Sequence, residues 1–397
     1  MNDNNTERKA PLIWIMAGES SGDLYGARIA SGIRKIQPDA VIQGMGGVKM
    51  KEAGVDILVD SSELGVIGVV EVLANIFKFI RIMLYFVREA RAKRPDVVLM
   101  VDYPGFNIRF AKRLWKMGIP VVWYISPQVW VWRKSNIPKY ATYCKKLIVI
   151  FPFEPEVWKG SGLDTEFAGH PLMEVVQARW NPEIQRDPRR VLILPGSRTS
   201  ETSRLVEPFM HTVCILKQRN PQLKFAMALP RQRTYDEVMM YIEKFRHKNP
   251  DLELPEIDIS VGTTARWMQE ASAGLAASGT VTVESAISDL PLTVAYKLNP
   301  ITFLMGRIVI RKLFRGFFTM VNIILDKKVF EEFLQKDVVP SKMADAVEAI
   351  LPGGTRREEV MADMQRMRDA LSSGMENATH NAAQIILNVV EKCKNKQ

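Results

Sequence analysis

The sequence predicts an α/β protein of two successive domains, each a mainly parallel sheet covered by helices. Three observations carry this. Short apolar runs alternate with helix-length segments along most of the chain, as expected of strands buried on both faces. The pattern breaks at the polar stretch WNPEIQRDPRR, with its two prolines, and restarts at VLILPGSRTSE. A chain of 397 residues also exceeds what one hydrophobic core usually fills.

The first apolar run, Leu12 to Ala17, is followed by the loop GESSGD and by a helical pattern with Leu24, Ala27, Ile29, Ala30 and Ile33 on one face. This is the opening of a β-α-β unit. VDILVD, DVVLMVDYPG, PVVWYISP and KKLIVIFPF supply further strands of the first domain. After the break, VLILPGSR, LKFAMALP, EIDISVG, AGLAASGT and LPLTVAYK supply those of the second. Residues 355–397 carry helical periodicity with many charges and are expected to return to the first domain. The expected boundaries are therefore 1–180, 186–354 and 355–397.

A net charge of +10 and a pI near 9.4 favour anionic partners: nucleic acid, acidic lipid or phosphorylated small molecules. Cys144, Cys214 and Cys393 are odd in number and far apart, and the four histidines lack metal-ligand spacing. No disulfide framework, metal or cofactor is expected. The apolar run after the polar N-terminus is too short for a signal-peptide core, so a cytosolic protein is expected.

In open parallel sheets, ligands sit outside the carboxyl ends of the strands. The candidate residues follow the apolar runs accordingly. In LPGSRTSE, Gly196 and Ser197 precede a helix and Arg198 adds a guanidinium fork, a combination suited to a diphosphate. The alternative is a capped loop with an exposed arginine. In AASGTVTVE, Ser278, Gly279 and Thr280 open a second helix, and Glu284 lies one turn along the same face, where a carboxylate can meet ribose hydroxyls. Neither G-x-G-x-x-G after the first strand nor a P-loop is present, which disfavours dehydrogenase and P-loop chemistry.

Asp102 ends the run DVVLMV and is positioned as a general base, or equally as a cap of the following turn. Glu19 and Asp23 are rival carboxylates. Ser20, Ser21, Asn107 and His170 complete the acceptor-side candidates.

AGESSGDLYGA, VDYPGFN, YISPQVWVWR, FAGHPL, LPGSR and ASGTVTVE occur in the order of the signature segments of lipid A disaccharide synthases, which the chain resembles over most of its length. The resemblance implies two Rossmann-like domains facing a cleft, the B-type glycosyltransferase fold. It implies an inverting transfer of 2,3-diacylglucosamine from its UDP derivative to 2,3-diacylglucosamine 1-phosphate. Asp102 would then be the base, and Arg198, Ser278, Gly279, Thr280 and Glu284 would hold UDP. Asn322 and Gln335, in VNIILDKKVFEEFLQ, would complete the donor site. Gly105 stands where the family usually has a second Asp, Val321 replaces a proline, and Asp326-Lys327-Lys328 replaces Ala-Gly-Arg. Other readings of the same features are a UDP-sugar 2-epimerase, a polyprenyl-acceptor N-acetylglucosaminyltransferase, or a non-catalytic basic membrane or nucleic-acid binder.

Acylated substrates imply a peripheral enzyme at the inner face of the inner membrane, with no nucleic-acid partner. Residues 64–86 are apolar enough to suggest a span, but Glu71, Asn75, Lys78 and Arg81 line one helical stripe, which argues against crossing. Val69, Val70, Leu73, Ile76, Phe77, Ile80 and Leu84 are its candidate lipid- or core-facing residues. Residues 301–320 interleave basic and aromatic side chains in a manner suited to an anionic interface.

Overall fold

The computed structural model describes residues 10–61, 76–127, 129, 134–298, 316–372 and 377–395, with Ile76 and Lys134 described in their backbone only. Val69, Val70, Leu73 and the Ile76 side chain lie outside the described residues, as do residues 130–133 and 299–315.

The chain divides into two compact units, residues 1–171 with 371–397 and residues 172–370. The division falls after Pro171, ahead of the proline-containing stretch, because the helix Leu172–Ala178 packs against Val281–Ile287 of the second unit.

The first unit holds seven parallel strands: β1 (Leu12–Ala17), β2 (Val41–Gly46), β3 (Asp56–Asp60), β4 (Val97–Val101), β5 (Val121–Tyr124), β6 (Lys146–Val149) and β7 (Thr165–Phe167). Their order is β3-β2-β1-β4-β5-β6-β7. The central strands are buried along their whole length, which is why they read as unbroken apolar runs. Their side chains alternate between two cores. Ile13, Ile15, Val97 and Leu99 pack beneath the helices Ser20–Ile36 and Ala378–Lys394. Trp14, Met16, Val98 and Met100 pack beneath Ile76–Lys93 and Pro104–Lys116. There Phe86 meets Trp14 edge-on and tilts against Phe110, each with ring centroids 5.8 Å apart. At Gly32 a side-chain carbon would fall 3.1 Å from Thr379 and 3.2 Å from Ala383, so the absent side chain lets the C-terminal helix lie close.

The second unit repeats the plan with β8 (Asp187–Leu194), β9 (Lys224–Leu229), β10 (Ile257–Val261), β11 (Ala271–Ala277), β12 (Leu292–Tyr296) and β13 (Glu331–Leu334), in the order β10-β9-β8-β11-β12-β13, all parallel. The helix Thr199–Arg219 lies between the helices Gln232–Lys248 and Pro340–Ile350.

Among the described residues no helix is long and apolar enough to cross a membrane. In Ile76–Lys93 the core face is Ile82, Met83, Phe86 and Ala90. Phe77, Ile80 and Leu84 are 80%, 50% and 61% exposed, so these three do not belong to the core.

Candidate active site

In each sheet the strand order reverses direction between two neighbours, β1 and β4 in the first unit and β8 and β11 in the second. Loops at the carboxyl ends of such a pair diverge to opposite faces and leave a crevice. Glu19, Ser20, Asp102, Arg198, Ser278, Gly279 and Thr280 follow these four strands, whereas His170 follows β7 and Gln335 follows β13, each at a sheet edge.

In the first unit, β4 runs directly into Asp102 and Tyr103, both left-handed at φ 46° and 52°. This conformation costs an L-residue about 1–2 kcal/mol. Ile125, just beyond β5, is a third at φ 68°. Strained residues gathered at the ends of adjacent strands are characteristic of functional sites. Asp102 donates its N–H to the Tyr124 carbonyl at 3.1 Å. Burial, reinforced by the negative charge of Glu19, raises its carboxyl from 3.8 to about 6, although a backbone hydrogen bond from Tyr103 works the other way. The same two causes raise the Tyr103 phenol. The Tyr103 ring lies on the Gly18 backbone, where any side chain would overlap it.

Of the other acceptor-side candidates, Glu19, Ser20 and Ser21 are exposed at the start of the first helix. Asp23 is instead a structural cap. Its carboxylate accepts the N–H groups of Gly47 at 2.7 Å, Lys49 at 3.0 Å and Met50 at 3.1 Å, which removes it as a rival base. Asn107 is fully buried and cannot touch an acceptor. His170 is buried against Phe151, and burial lowers its imidazole to about 3, so it stays neutral.

In the second unit, Gly196 has φ 113° and the following loop wraps around Glu201. The Glu201 carboxylate accepts the N–H of Ser197 at 2.9 Å and of Arg198 at 3.3 Å, and pairs with the Arg198 guanidinium at 3.0 Å. Glu201 thus occupies the amide donors expected to face a phosphate, and the Arg198 side chain is 75% exposed. Glu201 is the N3 residue of a capping box whose N-cap is Arg198 rather than the usual Ser or Thr, so the spacing carries no ordinary capping signature. Gly279 and Thr280 are exposed and Ser278 half-buried at the end of β11. Glu284 has its carboxyl raised by burial, opposed by Arg179, which stands 3.4 Å away.

Asn322 and Gln335 are both engaged with backbone. Asn322 is wholly buried, donating to the Phe330 carbonyl and accepting the N–H groups of Val329 and Phe330, each at 2.9 Å. Gln335 pairs with both backbone groups of Leu298, at 2.8 and 3.1 Å. Asn322 is buried among these partners, whereas Gln335 is half-buried and spends one of its two amide N–H groups on the Leu298 carbonyl. Three residues before Gln335, the Glu332 carboxylate accepts the N–H groups of Phe318 and Thr319.

Among the described residues no group of three or more His, Cys, Asp or Glu side chains could hold a metal ion.

A family model described as lipid-A-disaccharide synthetase matches residues 13–386. The lipid-A-disaccharide synthase of Syntrophus aciditrophicus is 34% identical over 388 residues, covering 96% of this chain and 98% of that protein. The enzyme of the same name from Koribacter versatilis is 35% identical over 390 residues, covering 96% and 99%. Among solved structures, a UDP-GlcNAc 2-epimerase from Neisseria meningitidis aligns with a TM-score of 0.58 at 12% identity, covering 96% of this chain and all of that one. MurG from Acinetobacter baumannii aligns with a TM-score of 0.52 at 14% identity, covering 95% and 99%. At such identities the structures speak for the two-domain fold alone.

Proposed function

The chain belongs to the lipid-A-disaccharide synthetase family and is a glycosyltransferase of lipid A disaccharide synthesis; from that premise we propose its substrates, its working residues and its place in the cell. The donor is UDP-2,3-diacylglucosamine and the acceptor 2,3-diacylglucosamine 1-phosphate. The acceptor 6-hydroxyl attacks the donor anomeric carbon, the bond to the diphosphate oxygen breaks, and UDP leaves with the electron pair. Inversion gives the β-1,6-linked disaccharide 1-phosphate.

Asp102 takes the hydroxyl proton, and its position is the observation that carries the reading. A carboxylate at a switch point with a pKa of about 6 is ionised at neutral pH and still basic enough to accept a proton. General-base assistance of this kind typically contributes about 10²–10⁴-fold. Arg198 meets the charge that develops on the departing diphosphate, with Ser278, Gly279 and Thr280 as further donors and Glu284 on the ribose side.

Acylated substrates require a membrane surface. Phe77, Ile80 and Leu84 form an exposed apolar stripe beside exposed Lys78, Arg81 and Arg88. The helix Pro104–Lys116 exposes Arg109, Lys112, Arg113 and Lys116 and contains no acidic residue. An apolar stripe beside cations suits a surface of anionic lipid. The enzyme accordingly works from the cytoplasm as a peripheral protein of the inner membrane.

The test incubates the protein with both detergent-solubilised substrates, with and without chelator, and identifies the product by mass spectrometry. A tetraacyl disaccharide 1-phosphate in both samples supports the reading. A 2-epimerised donor, or no UDP released, overturns it.

A further inference from the structure

We propose that Asn107 is the positioning residue of the reaction, fixing the direction in which Asp102 presents its carboxylate. The proposal rests on Asp102 being the base.

Asn107 sits in the first turn and a half of the helix Pro104–Lys116, with no exposed surface. Its amide nitrogen donates to two carbonyls at once, Met16 on β1 at 3.2 Å and Asp102 at 2.8 Å. Its own N–H donates to the Tyr103 carbonyl at 3.1 Å. The side chain therefore ties the two strands that flank the switch point and holds the first of the strained pair, while the backbone N–H of the same residue holds the second. Holding the Asp102 carbonyl fixes that residue's backbone angles and with them its Cα–Cβ bond.

The amide oxygen of Asn107 has no hydrogen-bond partner, although it is buried. An unsatisfied buried acceptor is a standing cost that native structures rarely carry without reason. Flipping the amide does not relieve it, because the oxygen would then face two carbonyl oxygens. A leucine would fill the space with no orphaned atom. What leucine lacks, and aspartate also lacks, is the pair of N–H donors that the two carbonyls take up. The cost is explained if the left-handed turn at Asp102 is needed.

The experiment compares wild type with N107A, N107D, D102A and the double variant D102A/N107A. It measures kcat, the pH dependence of kcat/KM, UDP affinity and melting temperature. N107A and N107D are expected to lower kcat about 100-fold, the scale of loss that misplacement of a reacting group by an ångström produces. They should shift the acid limb of the pH profile while UDP affinity, a property of the other unit, is unchanged. In the double variant Asn107→Ala should cost nothing beyond D102A, since its effect passes through that carboxylate.

Wild-type kcat and acid limb in N107A, or losses that add in the double variant, overturn the proposal while leaving Asp102 as the base. Full activity in D102A overturns the base assignment, and this inference with it. Should N107A fail to fold, the near-isosteric N107D decides by the same two criteria.

Discussion

The ring of Tyr103 rests on the backbone of Gly18, joining the loop after β1 to the residue that follows Asp102 beyond the end of β4. A methyl group at position 18 has no room unless the ring moves, and the ring is attached to a backbone already held left-handed. Gly18→Ala is therefore expected to lower kcat sharply. Its cost in stability should be about 1–3 kcal/mol, the usual range for overpacking. Steady-state kinetics alongside thermal melting check this, and a variant with unchanged kcat would show that the Gly18 contact does not matter to the site.

The raised carboxyl of Asp102 gives a pH dependence of definite sign. Activity needs the ionised form, so kcat/KM should climb as pH rises through about 6. Glu19→Gln removes the smaller of the two causes and should move that limb towards acid, leaving the larger effect of burial in place.

Stability runs the other way. The folded-state value lies above the ordinary 3.8, so the fold binds the proton more tightly than the unfolded chain. Stability is lost as pH rises from about 4 to about 6 and stays lower above that. Asp102→Asn should therefore stabilise the protein at pH 8, by at most roughly 2–3 kcal/mol, while abolishing turnover. Denaturant melts at pH 4 and pH 8 decide it; no gain at pH 8 would count against the buried charge.

Arg198 is exposed, and its removal should leave the melting temperature within a degree or so. Arg198→Ala is expected to weaken UDP binding and lower kcat/KM. Arg198→Lys should recover only part of the loss, because an ammonium does not reproduce the guanidinium fork. Titration calorimetry with UDP measures the first effect, and unaltered affinity in both variants would remove Arg198 from the donor site.

Asn322 and Gln335 should behave in the opposite way. Asn322→Ala strips three hydrogen bonds from a buried turn and leaves backbone groups unpaired, at a cost of about 2–4 kcal/mol. Gln335→Ala removes the pair of bonds to Leu298 and should cost about 1–3 kcal/mol. Where the variants remain folded, UDP affinity should match wild type. A specific loss of UDP binding without loss of stability would restore these residues to the donor site.

Phe77, Ile80 and Leu84 are already in solvent, so replacing all three by serine should not lower the melting temperature. Sedimentation with vesicles containing anionic lipid should fall. Retained sedimentation would place the lipid contact elsewhere.

The strands and the loops behind them were legible because buried parallel strands write themselves as apolar runs, and ligand-side loops must follow them. Roles that depend on distant partners were not. Asp23 is spent on Gly47, Lys49 and Met50; Asn107 reaches Met16, 91 residues away; and Gln335 reaches Leu298, 37 residues away. A motif shows that an amide or a carboxylate is present at a position. It does not show whether that group is already taken by backbone, and for Asn322, Gln335 and Asp23 it is.

The helix Ala378–Lys394 completes the core of the first unit, where Ala382, Ala383, Ile386 and Val390 pack with residues of β1 and β4. During synthesis that core has to wait, because all of the second unit precedes the helix that closes the first. The second unit, contiguous from Leu172 to Ala370, can fold as it emerges. The first is then sealed last, with Ile13, Ile15 and Leu99 lacking their C-terminal cover until then. A fragment ending at Pro171 would carry that uncovered apolar face permanently and would be prone to aggregate.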